Sequence, residues 1–198
     1  MTSLFSPFYC AHCIHCRLPQ PSCVCDKIES IELPFKITLC CHRNEWQKND
    51  NSGQWALLSS NDISRIKWHR KSELIQPQVD VHTITQQHGH YLLYPSDDAQ
   101  DLDLQTKDIA QLWVIDGTWQ EAQKMLRQSP WLKSMPKVTI KAAKNQTLTS
   151  QFKLRRNQRG LSTMEAITEA IRGHCPRAAN ALERNFQLFQ SSLLDLLR

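Results

Sequence analysis

The 198-residue chain is poor in glycine. Only Gly53, Gly89, Gly117, Gly160 and Gly173 are present, and no two are spaced to build G-x-G-x-x-G or a Walker A loop. Rossmann dinucleotide enzymes and P-loop ATPases of the usual kind are thereby excluded. Long apolar runs are lacking too. Nothing approaches the roughly 20 residues needed to span a bilayer, so no membrane partner is expected. The N-terminus, Met1 to Ser6, has no basic region followed by an apolar one, and no secretion signal is read there. Disorder as the main state is also excluded: 40% of residues are hydrophobic against 22% charged, enough for a buried core.

A further absence is local. From Ala122 to Met164 there is no Asp or Glu, while ten basic residues fall in the same stretch: Lys124, Arg127, Lys133, Lys137, Lys141, Lys144, Lys153, Arg155, Arg156 and Arg159. Taking that +10 from the net charge of +5 leaves −5 for the rest of the chain. A one-sign block beside an acidic body points to a polyanion partner, with Lys141, Lys144, Lys153, Arg155, Arg156 and Arg159 as candidate RNA contacts. The alternative is a solvated surface whose counter-charges come from elsewhere in the fold.

Cysteine is unevenly spread. Of the 8, Cys10, Cys13, Cys16, Cys23 and Cys25 crowd the first 25 residues. Without a secretion signal a cytoplasmic location is expected, where such a cluster reads as metal-binding before it reads as disulfides. Cys13, Cys16, Cys23 and Cys25 form C-x2-C-x6-C-x-C, four thiolates able to close a structural zinc site. Cys10 also makes C-x2-C with Cys13, and His12 and His15 are possible substitutes. A closed four-sulfur site has no open position for catalysis; it would hold a segment too small to fold without it. Residues 1–30 are therefore read as a zinc-binding segment and 31–198 as the main domain.

Along that domain, Phe35 to His42 (FKITLCCH) reads as a buried strand, with Cys40 and Cys41 in or near the core. Gln54 to Ser60 looks like a helix start, Val79 to Ile84 (VDVHTI) like a weaker strand, and Tyr91 to Tyr94 (YLLY) like a strand stopped by Pro95. Leu112 to Ile115 (LWVI) is a strand running into Asp116-Gly117-Thr118-Trp119. Ala122, Met125 and Leu126 then have helical spacing up to Pro130. Val138 to Ile140 is a short strand. Ser162 to Arg172 is a helix with Ser162 or Thr163 as N-cap and Glu165 in its first turn. Pro176 opens a long amphipathic C-terminal helix. Strands alternating with helices predict an α/β fold with a largely parallel sheet, whose ligands sit at the carboxyl ends of strands. That is where Asp116 falls. Its carboxylate is a candidate catalytic group or a helix cap; Thr118 is a candidate cap for the following helix; Trp119 is a core anchor or a surface on which a base stacks.

Each remaining motif is weak alone: Leu93-Tyr94-Pro95-Ser96, Leu161-Ser162-Thr163-Met164-Glu165-Ala166, and His42-Arg43-Asn44-Glu45 with Asn51-Ser52-Gly53. In their order, with the cysteine cluster and the DGTW tetrad followed by Gln123-Lys124-Met125, they are specific. From Cys13 to about Arg172 the chain resembles the DTW-domain family, although Arg43 stands where the family pattern usually has proline and Ser52 where threonine is commoner. The resemblance implies a tRNA-uridine aminocarboxypropyltransferase that uses S-adenosylmethionine as a 3-amino-3-carboxypropyl donor and modifies N3 of a uridine. It also implies a SPOUT-like α/β fold, helices on both faces of the sheet, and a C-terminal trefoil knot. Asp116, Thr118 and Trp119 would then be catalytic, with Asp116 either the general base or the group that holds the donor's amino nitrogen. Leu93, Tyr94, Pro95, Ser96, Leu161, Ser162, Thr163 and Glu165 would hold the cofactor. The alternatives are an RNA methyltransferase of the same fold and a non-catalytic, zinc-stabilised RNA-binding module.

Overall fold

The central strands are buried on both faces, and because successive side chains point to opposite sides, each face of the sheet needs its own helices. The computed structural model describes residues 11–102, 109–140 and 160–195. Six strands, β1 (Lys36–Cys41), β2 (Ile63–Lys67), β3 (His90–Leu93), β4 (Gln100–Asp101), β5 (Gln111–Asp116) and β6 (Lys137–Thr139), form one sheet in the order β2-β1-β5-β3-β6-β4. Every pairing is parallel. Parallel pairing needs a crossover between successive strands, here supplied mainly by helices. These are α1 (Ser52–Ser59), α2 (Val81–Gln86), α3 (Trp119–Gln128), α4 (Pro130–Ser134), α5 (Thr163–Arg172) and α6 (Pro176–Asp195).

Ile37 and Leu39 of β1 and Leu112 and Val114 of β5 share one face and pack with Trp55 of α1, Ile167 and Ile171 of α5, and Phe186 and Phe189 of α6. Cys40 and Trp113 point the other way, into a cluster with Ala122 and Met125 of α3 and Trp131 and Leu132 of α4. Helices therefore cover both faces. The first cluster also takes in Cys16, Leu18 and Val24, so the N-terminal segment adds to the main core. Asn185 on α6 clamps it there: its side chain accepts from the Glu29 N–H at 3.1 Å and donates to the Glu29 carbonyl at 2.8 Å.

Several expectations change. Val79 to Ile84 is not a strand. The Asp80 side chain accepts from the N–H groups of His82 and Thr83 and caps α2, so local capping overrides the β-branched composition. Strand β2 was not anticipated, because Arg65 interrupts its apolar pattern. Other expectations hold: Cys40 and Cys41 are fully buried, and the sheet expected to be largely parallel is parallel at every described pairing.

Position follows from strand order. β5 lies between β1 and β3, with Cys41 level with Asp116 and Leu93 level with Val114. Asp116 thus ends a central strand, on the α1/α5/α6 face, at the carboxyl edge where parallel sheets bind ligands.

Candidate active site and metal centre

Four sulfurs converge near the N-terminus. The Sγ atoms of Cys13, Cys16, Cys23 and Cys25 all lie within 4.8 Å of one another, with Cys13–Cys25 and Cys16–Cys23 at 3.7 Å. A tetrahedron with Zn–S bonds of about 2.3 Å has edges of about 3.8 Å, so the donor set and its spacing fit zinc. Burial opposes the Cys13 thiolate, but N–H groups of Cys16 and His15 outweigh it and bring that thiol down to about 6. Burial pushes Cys16 and Cys25 up, the cost that a bound cation would offset.

The knuckle is seated on α1. The Gln54 side chain donates to the His15 carbonyl at 2.9 Å, and the Trp55 indole donates to the Cys16 carbonyl at 3.1 Å. Trp55, fully buried, stacks on Phe189 with centroids 5.0 Å apart. Metal site, α1 and α6 therefore share one packing unit.

The same helix holds Asp116. Asn51 is the N-cap of α1, its side-chain oxygen accepting from the Gln54 N–H at 2.7 Å. Its amide nitrogen donates to Asp116 Oδ2 at 3.1 Å and, more weakly, to Oδ1 at 3.3 Å. Thr163, the first residue of α5, donates its hydroxyl to Oδ1 at 2.7 Å. Asp116, only 2% exposed, is thus gripped by the first turns of two helices, whose dipoles favour negative charge. Gly53 completes the cradle: a Cβ there would lie 2.8 Å from Asp116 Oδ2, so only glycine lets α1 come this close.

Asp116 opens onto a cleft of ≈ 160 Å³ whose lining also includes Glu45, Lys48, Asp50, Thr118 and Ser162. Lys48 pairs with Glu45; burial works against its charge, but Glu45 prevails and raises its pKa.

On the opposite side of the DGTW turn, Thr118 is the N-cap of α3 in a reciprocal capping box with Glu121. The Glu121 carboxylate accepts from the Thr118 N–H at 2.9 Å, the Thr118 hydroxyl at 3.0 Å and the Asn44 amide at 2.7 Å, and meets His42 Nδ1 at 3.0 Å. Burial opposes the Glu121 charge, yet these donors hold its carboxyl below the usual value. Burial lowers the pKa of His42, which stacks on Trp68. Trp119 is not a core anchor: it is 54% exposed and lies flat on Tyr94, centroids 5.5 Å apart and planes at 7°.

The cleft therefore brings together Asp116, Thr118, Ser162 and Thr163 of the residues singled out in the sequence. Ser162 and Glu165 form the capping box of α5; Leu161 precedes it, half-buried. Leu93, Tyr94, Pro95 and Ser96 stand at the end of the neighbouring strand β3 and do not line the cleft. Lys141, Lys144, Lys153, Arg155, Arg156 and Arg159 lie outside the described residues. Lys137, from the same basic block, is counter-charged by Asp98 at 2.9 Å. Sequence reasoning passed over Asn51 as a holder of Asp116, though an Asn before a helix with Gly two residues on is a readable signal of a cap beside a close approach. Glu45 and Lys48 carried no such mark.

No solved structure matches the chain. The family model of the DTW domain matches residues 10–194, and the chain belongs to that family.

Proposed function

We propose, from membership in the DTW family, that the chain transfers the 3-amino-3-carboxypropyl group of S-adenosylmethionine to N3 of a uridine in tRNA. The observation that carries this reading is the Asp116 carboxylate, buried at the end of a central parallel strand, gripped by Asn51 and Thr163 and open on a cleft. The donor, when bound, supplies an activated carbon on its sulfonium: the N3–C bond forms as the C–S bond breaks, the sulfur keeps the electron pair, and methylthioadenosine leaves.

The chain's own residues supply orientation and proton transfer. Asp116 accepts the N3 proton or, alternatively, fixes the ammonium of the donor's amino-acid arm. Asn51 and Thr163 fix the carboxylate plane, so the group keeps one orientation toward the cleft. Glu45, Asp50 and Asp116 line the cleft and suit a cationic arm. Trp119, backed by Tyr94, offers a flat apolar surface to an unstacked base. The four-cysteine site holds a structural zinc. A SPOUT-like fold with a C-terminal trefoil knot belongs to the same reading, as does contact between the acid-free block and the tRNA backbone.

The test uses purified tRNA and donor labelled either on the methyl or on the carboxyl carbon. Carboxyl-carbon label in the RNA is expected. Methyl label alone identifies an RNA methyltransferase, and no transfer of either label identifies a binding module. Neutralising Lys153, Arg155, Arg156 and Arg159 together should weaken tRNA binding and flatten its salt dependence while leaving donor affinity unchanged.

A further inference from the structure

One positively charged pair beside the cleft has no use in the scheme above. Arg65 sits in the middle of β2, level with Leu39, and its guanidinium carbon lies 3.9 Å from the ring centroid of Trp46. Its Nη1 is buried and makes no hydrogen bond. Among the described residues it has no carboxylate partner. Arg17 approaches from the metal knuckle. It takes up the left-handed conformation, φ 63°, in the turn that its N–H closes onto the Cys13 carbonyl at 2.9 Å. Its Nη1 donates to the Lys48 carbonyl at 3.1 Å, and Lys48 lines the Asp116 cleft. Like Arg65, it forms no ion pair among the described residues.

The Arg17 charge acts on Arg65, and the Asp116 carboxylate acts on both through space without an ion pair, while burial keeps the Cys41 thiol neutral. Partial burial penalises both charges. Two half-buried cations with one unpaired N–H and no counter-ion in contact cost stability, and a bound anion removes that cost. The stacking is informative as well. Trp46 covers one face of the Arg65 guanidinium and fixes its plane, and a planar fork with an unpaired Nη1 suits an oxyanion in the two-point mode that arginine favours.

We propose that Arg17 and Arg65 form an oxyanion-binding subsite beside the Asp116 cleft, taking the carboxylate of a small-molecule ligand or a phosphate of RNA. The subsite stands on the arginine geometry alone and does not depend on which group is transferred.

Sulfate serves as the first probe. It is titrated calorimetrically into the zinc-loaded full chain, with chloride exchanged to keep ionic strength constant. Saturable binding is expected, weakened at least tenfold in Arg65→Gln and in Arg17→Gln, with Arg65→Lys between wild type and Arg65→Gln because charge remains and the planar fork is lost. Thermal unfolding reports whether each variant folds. If Arg65→Gln does not, Arg17→Gln carries the test, since its side chain leaves a turn rather than a strand. The source is then separated with S-adenosylmethionine and tRNA. Donor affinity reduced about tenfold with tRNA affinity unchanged assigns the site to a carboxylate. Weaker tRNA binding with a salt slope smaller by about one assigns it to a phosphate. Absence of saturable sulfate binding in the wild type, or equal binding by wild type and both glutamine variants, overturns the proposal. Neither result bears on the label-transfer experiment.

Discussion

Asp116 and Glu121 stand on the two sides of one strand-to-helix turn and are held in opposite ways. Glu121 accepts from its own helix cap, from Asn44 and beside His42. Its donors come from the turn it closes and the strand end next to it, so its charge is consumed in holding the turn. Asp116 accepts from residues remote in sequence, Asn51 and Thr163, and keeps an edge toward a cleft. A carboxylate taken up in closing its own helix cap stabilises structure, whereas one held from two other helices and left facing a cleft is positioned. The contrast gives a rule for this molecule: altering the Asp116 side should move rate first, and altering the Glu121 side should move stability first.

The sharpest way to break that contrast is Asp116→Asn. Removing a general base costs about two to four orders of magnitude in rate, and single-turnover transfer should fall by that much while tRNA binding persists. Near wild-type transfer would make Asp116 a structural residue and remove the distinction. Next comes Gly53→Ala, which thrusts a methyl group against the carboxylate. Overpacking of this kind costs about 1–3 kcal/mol. Asp116→Gly in the same chain should recover much of the unfolding midpoint without recovering transfer, and additive effects would show that the contact is not felt.

Zinc removal tests how far the Asp116 side extends. From the cysteine spacing alone, losing the metal should unfold the N-terminal segment and spare the cofactor site. The hydrogen bonds from Gln54 and Trp55 to the knuckle carbonyls argue that α1, and with it Asn51, loosens as well. Chelation, or Cys16→Ser, should lower the thermal midpoint and raise amide exchange in α1; exchange unchanged in α1 would confine the metal's influence to the knuckle.

The Glu121 side is probed by pH. Because the Glu121 carboxyl is held below its ordinary value of 4.5, it contributes stability above that pH, lost as pH falls through its folded value. His42, lowered by burial from 6.5, adds a loss beginning as pH drops below 6.5, since the unfolded chain takes up the proton first. Denaturant midpoints should therefore decline in two acid steps, and Glu121→Gln should abolish the lower one with transfer at neutral pH changed several-fold at most. The smallest effect is expected for Trp119→Ala. An aromatic pair contributes about 0.5–1.5 kcal/mol beyond area burial, and half of this ring is already in solvent, so the midpoint should scarcely move while tRNA affinity falls. Equal loss of stability and affinity would assign Trp119 to the fold.

Much of this architecture is legible in the residues because it is local. FKITLCCH and LWVI announce central strands by their continuous apolar runs. The spacing of the four cysteines announces a cluster with the geometry to hold a metal, and Ser162 with Glu165 announces a helix start. Asp116 at a strand end is legible for the same reason. What escapes has a common cause: it depends on register between strands distant in sequence. Nothing near Asn51 says that β1 pairs with β5 and so brings α1 over Asp116. Arg65 hides β2 because a charged residue on a buried face is intelligible only once Trp46 and Arg17 are seen beside it. Val79 to Ile84 misleads in the reverse sense, its β-branched residues outweighing a single capping aspartate that the chain obeys.

The cradle of Asp116 also sets an order of assembly during synthesis. Its parts come from residues 51, 53, 116 and 163, and α5, which carries Thr163, packs against α6 near the end of the chain. A ribosome that has delivered β1, α1 and β5 has made the carboxylate and one of its clamps but has nothing to close the other side. Nascent chains ending before Thr163 would hold Asp116 without its second helix, and their contacts of large sequence separation form late and slowly. The second clamp on Asp116 therefore forms only after residue 163 has been made.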